Sequence, residues 1–265
     1  MPDNLFFLSL RHMAPVYRYF IFLSFRGTAY HGWQLQPGNP TVQEVINMSL
    51  CTLLREDIRV TGAGRTDTGV HAEFFCAHFD SANESLAGDI TFIQKMNGFL
   101  PDDIAVKRIA RVKEDANARF DALSRTYRYT FAPVKDPFLA DTAWLLYWKP
   151  DIALLNQASA ILLDHTDFTS FSRLHGGNKT NFCNVTQAMW EEMPDRLVFT
   201  ITADRFLRNM VRAITGTLVQ VGRGKVSLND FENIIRGRDR GLAGQSAPAH
   251  GLSLTGIQYP PDVFI

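Results

Sequence analysis

Residues 17–25 read Tyr-Arg-Tyr-Phe-Ile-Phe-Leu-Ser-Phe, an aromatic and branched run that predicts a strand. Residues 26–33 break that run with two glycines and several polar positions, predicting a turn and loop. Thr41 with Glu44 three residues later has the spacing of a capping box. Val42, Val45, Ile46, Leu50, Leu53 and Leu54 then fall on one stripe, so a helix is predicted from Thr41. Residues 73–80 predict a strand, 90–100 a short helix and 104–112 another strand.

The pattern then restarts. Tyr127-Arg128-Tyr129-Thr130-Phe131 echoes the opening strand, residues 152–163 have the period of an amphipathic helix, and 197–202 alternate as a half-buried strand. A final helix is predicted over 205–219. The expected class is α+β: two similar antiparallel-sheet domains with helices on one face, over residues 17–123 and 124–265, behind an N-terminal extension of residues 1–16. No low-complexity linker separates the halves, so they are expected to pack closely.

Composition narrows the possibilities. A chain of 265 residues holds one large or two smaller domains. No apolar run reaches the ~20 residues of a membrane helix, and no small-residue cleavage site follows the apolar patch near the start, so neither a membrane protein nor a signal peptide is expected. Cys51, Cys76 and Cys183 are far apart and form no CxxC pair, which fits a reducing cytoplasm and argues against a disulfide framework or structural zinc. The 27 basic residues balance 27 acidic ones, yet 20 of the bases are arginine. Arginine offers a planar fork for phosphate and a face for stacking, so a local cationic surface on a neutral protein is compatible with this bias.

Three stretches carry candidate chemistry. Gly62-Ala63-Gly64-Arg65-Thr66-Asp67-Thr68-Gly69 lacks the Gly-Lys-Ser/Thr ending of a nucleotide phosphate loop, and Gly222-Arg223-Gly224-Lys225 fails for the same reason because Val226 follows the lysine. Asp67 fits a turn cap among glycine and threonine. It also fits a carboxylate nucleophile, since a guanidinium such as Arg65 nearby favours an acid's charged form. On a helix at ~100° per residue, Arg205, Arg208 and Arg212 would lie within about 60° of one another, opposite Leu207, Val211, Ile214 and Leu218. That face reads either as a solvated stripe or as a phosphate site with one arginine turned inward to a carboxylate. Aromatics beside bases, Tyr127 with Tyr129 and Tyr30 with Trp33, read as core packing or as platforms for an unstacked base. The seven histidines give no metal pattern: His71 and His78 are not spaced as paired ligands, and His165, His175 and His250 read as ordinary surface or packing residues. His71, next to the loop, is expected to support it by hydrogen bonding.

Together these segments resemble the TruA family of tRNA pseudouridine synthases. The likeness rests on residues 62–72, Gly-Ala-Gly-Arg-Thr-Asp-Thr-Gly-Val-His-Ala. It is supported in order by residues 27–34, Tyr127-Arg128-Tyr129, Asp167-Phe168-Thr169-Ser170-Phe171, residues 206–212 with Gly216, and residues 247–252. The resemblance implies a pseudouridine synthase fold with a catalytic cleft between the two domains, and isomerisation of uridine to pseudouridine in the tRNA anticodon stem-loop, at positions 38, 39 and 40. Asp67 would be the catalytic aspartate. Arg65, Tyr127, Arg212 and Leu252 would bind the substrate nucleotide, with Tyr127 stacking on the base, Arg212 pairing with Asp67 and Leu252 closing the apolar wall. Arg26, Tyr30, Trp33, Arg205 and Arg208 are candidate RNA contacts. The resemblance implies no metal, no nucleotide or other cofactor, and a cytoplasmic homodimer whose two subunits both contact one tRNA. Arg208-Asn209 departs from the family pattern, which often carries histidine there. The competing reading is a non-catalytic tRNA-binding or RNA-chaperone protein, in which Asp67 only shapes its loop.

Overall fold

In the computed structural model, residues 15–173 and 180–265 are described. His175 and nearly all of the expected N-terminal extension lie outside them. The first half contributes β1 (Tyr17–Phe25), α1 (Val42–Leu54), β2 (Thr61–Gly62), β3 (His71–Ser81), α2 (Ile90–Phe99) and β4 (Ile104–Arg111). The second contributes β5 (Ser124–Ala132), β6 (Trp144–Leu145), α3 (Ile152–Ile161), β7 (Val185–Glu192), β8 (Leu197–Ala203), α4 (Met210–Gly222), α5 (Leu228–Gly237) and β9 (Leu252–Gln258). Among the described residues, no helix is long and apolar enough to cross a membrane.

The strands form one sheet rather than the two that were expected. Its order is β4-β1-β3-β9-β5-β8-β7, with β2 on β3 and β6 on β5. Neighbours along that order are antiparallel except at the join, where β3 and β9 run parallel over His71–Ser253 and Ala72–Leu254. The near-continuous apolar run of β1 reflects burial on both faces. Phe20 and Phe22 meet Tyr259 and Phe264 near the chain end, while alternate positions such as Phe25 pack with Trp33 and Phe75. The apolar interior divides into two clusters, one around β1, β3 and α1, the other around β5, β8 and α4. Leu254, Ile257 and Val263, late in the chain, join the first cluster.

Two helix starts differ from expectation. Thr41 makes no side-chain cap, and its buried hydroxyl has no partner. The opening amides of α1 are met instead by backbone, Val42 N–H donating to Gly32 O and Gln43 N–H to Trp33 O, so the capping box is not needed. A capping box does form at α5, where the Ser227 hydroxyl accepts from Asp230 N–H and the Asp230 carboxylate accepts from Ser227 N–H. Helix α4 begins at Met210 because Asn209 is left-handed, with φ of 65°. A residue in that region cannot continue a right-handed helix, so Arg205 and Arg208 lie on an irregular segment rather than a helix face.

Within α4, Gly216 lets another segment cross at contact distance. A Cβ there would stand 1.9 Å from the Gln245 carbonyl oxygen, which is backbone and cannot swing away. Gly244 N–H donates to Thr217 Oγ1 and Ala247 N–H to Arg212 O across the same crossing. Gly216→Ala is therefore expected to cost about 3 kcal/mol, lowering Tm by roughly 10 °C. Thermal unfolding followed by circular dichroism checks this, and an unchanged Tm would mean that the crossing has room to spare.

Candidate active site

The glycine-rich stretch leaves the sheet at β2 and returns at β3. Its stem is tied by Ala63 N–H to Cys76 O, and its turn by Val70 N–H to the Asp67 carbonyl and Gly69 N–H to Tyr30 O. Gly32, at φ of 87°, lies flush beneath it: a Cβ would sit 2.2 Å from Thr66 O. The 27–33 loop is thus the floor on which the Asp67 loop rests.

That floor changes the reading of two aromatics. Trp33 is buried and stacks on Phe75 with ring centroids 4.1 Å apart, and Gly62 presses against its indole edge. Tyr30 is buried and donates its hydroxyl to Asp103 Oδ1 at 2.7 Å. Neither ring presents a face to RNA in this structure. Both are struts under the loop, because burying such large rings against the core outweighs leaving them open for stacking.

Asp67 stands partly exposed at the top of the loop. Arg212, from the first turn of α4, brings Nη1 to 3.4 Å from Asp67 Oδ2, and Arg208 brings Nε to 3.9 Å from Oδ1. Arg212 is held by its own Nε, which donates to Ala247 O at 2.8 Å. The left-handed turn at Asn209, whose side chain donates to Ser246 Oγ, lets both arginines approach one carboxylate despite the irregular backbone between them. Arg65 is exposed on the same loop. Arg26 is exposed and pairs with Asp141 at 3.3 Å, while Arg205 donates to Thr180 Oγ1 at 3.1 Å.

Tyr127 is half-buried on β5, and Phe206 meets its ring edge-on, 5.2 Å away at 89°. Burial pushes the Tyr127 hydroxyl up to about 12, the Asp67 charge pushing the same way, so the ring is neutral at physiological pH. Leu252 opens β9, buried and opposite Tyr129, while Leu254 faces Tyr127 in register. Asp67, Arg208 and Arg212 therefore converge, with Tyr127 and Phe206 beside them. Phe206 entered the sequence reading only as the first residue of the 206–212 motif, with no function of its own. Its signal was a lone aromatic in an arginine-rich stretch, which the helical register placed on neither face.

His71 locks the base of the loop. Gly27 N–H donates to His71 Nδ1 at 2.9 Å, and Nε2 faces the carbonyls of Asp141 and His250 at 2.9 and 3.0 Å. This network assigns the proton to Nε2 and leaves no room for a second at Nδ1. Burial lowers the His71 pKa, and His78, whose Nδ1 accepts from Ala118 N–H, is lowered for the same first reason. The contribution of both is complete above the unfolded value of about 6.5, and is lost as pH falls from there through the depressed folded values. Tm is expected to fall as pH drops below about 6.5, and His71→Gln is expected to flatten that fall while lowering Tm at neutral pH. An identical slope in the variant would remove His71 from the account.

Residues 158–260 match the family model described as tRNA pseudouridine synthase. A protein of Porphyromonas gingivalis named tRNA pseudouridine synthase A is 49% identical over 250 residues, spanning 94% of this chain and 99% of that one. One of the same name from Bacteroides thetaiotaomicron is 49% identical, over 93% of this chain and 92% of that one. Another from Legionella pneumophila is 36% identical, over 91% and 92% respectively. The similarity to these relatives runs through the Asp67 loop, which precedes the residues matched by the family model.

Proposed function

The chain belongs to the tRNA pseudouridine synthase A family of isomerases, and on that premise we propose that Asp67 is the carboxylate with which it converts uridine to pseudouridine in the anticodon stem-loop of tRNA. The observation that carries the reading is the convergence of Arg212 and Arg208 on Asp67 beside the half-buried Tyr127.

The reaction breaks the bond from the sugar C1′ to uracil N1, turns the base and joins C1′ to C5. The C5 proton leaves and N1 gains one, so nothing is lost overall. An ionised carboxylate serves each route to this end, whether it adds to the ring, attacks C1′ or removes the C2′ proton to give a glycal. Arg212 supplies the counter-charge that an acid beside a bound base needs once water is displaced. Tyr127, neutral and backed by Phe206, offers a face for the extruded base, and stacking of ~1–3 kcal/mol offsets part of the few kcal/mol of unstacking. In this reading Arg65, Arg205 and Arg26 would meet RNA phosphates. The reading includes a cytoplasmic homodimer with one tRNA touching both subunits, which light scattering with and without tRNA would test.

The decisive experiment incubates the protein with unmodified tRNA and maps pseudouridine by carbodiimide-dependent primer extension. Stops are expected at uridines just 3′ of the anticodon. A wild-type protein that leaves every tRNA unmodified would reduce the site to an RNA-binding surface.

A further inference from the structure

Arg125 lies on β5 two residues before Tyr127, hence on the same face of the strand. Its guanidinium makes four hydrogen bonds, all to backbone carbonyls. Nη1 donates to Ala122 O and Asp204 O, each at 2.8 Å, while Nη2 donates to Ala63 O at 3.1 Å and to Arg119 O. These acceptors come from three separate segments: the 119–122 turn, the stem of the Asp67 loop, and the residue just before Arg205.

Both far segments are fixed by this contact from one side and by backbone or carboxylate from the other. The peptide at Ala63 is held through its N–H by Cys76 and through its carbonyl by Arg125, and beyond it Gly64 has open space around its α-carbon. Asp204 is held through its carbonyl by Arg125, and its carboxylate accepts from Asn184 N–H and Arg205 N–H at 2.7 Å. One rigid planar group thus sets where the catalytic loop leaves the sheet and where the arginine segment begins. A single ammonium cannot reproduce that, since the fork geometry supplies several fixed donors at once.

We infer that Arg125 is a positioning residue that keeps the Asp67 loop and the segment 204–208 in one register, so that RNA held at Arg205 and Arg208 bears directly on the placement of Asp67. The inference rests on Asp67 being the reacting carboxylate, and its test separates the two. In the full-length protein, Arg125→Met and the charge-conserving Arg125→Lys are compared with wild type on unmodified tRNA. Single-turnover rate, tRNA Kd by filter binding, and amide hydrogen exchange without RNA are measured. Misplacement of a reacting group by about 1 Å lowers rate on the order of 100-fold. Arg125→Met is therefore expected to lose about 100-fold in rate with Kd within about threefold, and Arg125→Lys to recover less than about tenfold of it. Exchange is expected to accelerate together in residues 61–66 and 204–208 while β1 stays protected. Equal losses in rate and affinity would make Arg125 an RNA contact, and acceleration confined to 119–124 or spread through β1 would make it a local or global structural residue; each overturns the inference. Should wild type form no pseudouridine, the assignment of Asp67 fails, and the exchange pattern alone still decides the coupling.

Discussion

Asp67→Asn is expected to lower pseudouridine formation by at least ~10⁴-fold while leaving tRNA Kd within about threefold, by analogy with removal of an essential nucleophile. Asparagine has the shape of aspartate, and the turn depends on the Asp67 backbone carbonyl accepting from Val70 N–H, which the change leaves in place. What disappears is the negative charge that Arg208 and Arg212 face. RNA affinity is expected from arginines and stacking rather than from this acid, so it should stay or rise slightly. Single-turnover assays with excess enzyme beside filter binding give both numbers. An asparagine variant retaining more than a tenth of wild-type rate would return Asp67 to the role of a turn residue.

The second large effect is expected at Arg212. Arg212→Lys should lose about 100-fold in single-turnover rate with tRNA Kd again within about threefold. The arginine spans two acceptors, Ala247 O through Nε and Asp67 through Nη1. Lysine brings one ammonium on a flexible stem and can serve only one of them, so either the anchor or the counter-charge is lost. The same two measurements read the outcome. Equal losses in rate and affinity would make Arg212 a phosphate contact instead.

Local structure was the more legible level of the fold. The run at residues 17–25 became β1 with the same bounds, since seven of its nine positions are apolar or aromatic and leave little alternative. The start of α4 was misread because helical periodicity from Arg205 onward is genuine in the letters, while Asn209 adopts a left-handed turn held by tertiary contacts such as its bond to Ser246. The single sheet was not visible because β9 reads Leu-Ser-Leu-Thr-Gly-Ile-Gln, short and interrupted by Gly256, and its partners β3 and β5 are distant in sequence. Trp33 and Tyr30 looked like platforms beside bases, and only packing against Phe75 and bonding to Asp103 reveals them as struts. The approach of Arg212 to Asp67 joins residues 145 positions apart. No spacing rule reaches that far, and the link came from resemblance to a family rather than from periodicity.

The two-residue parallel join between β3 and β9 has a consequence in time. β9 pairs with β3 on one side and β5 on the other, so the sheet is split until this late strand arrives. During synthesis the first half can gather its own apolar cluster, but it does so without Leu254, Ile257 and Val263, and with His71 and Ala72 at the start of β3 still lacking their β9 partners. Pairings so distant in sequence close slowly. The Asp67 loop, which leads into β3, is accordingly set in its final place only once β9 has paired with both β3 and β5 and sealed the two halves together.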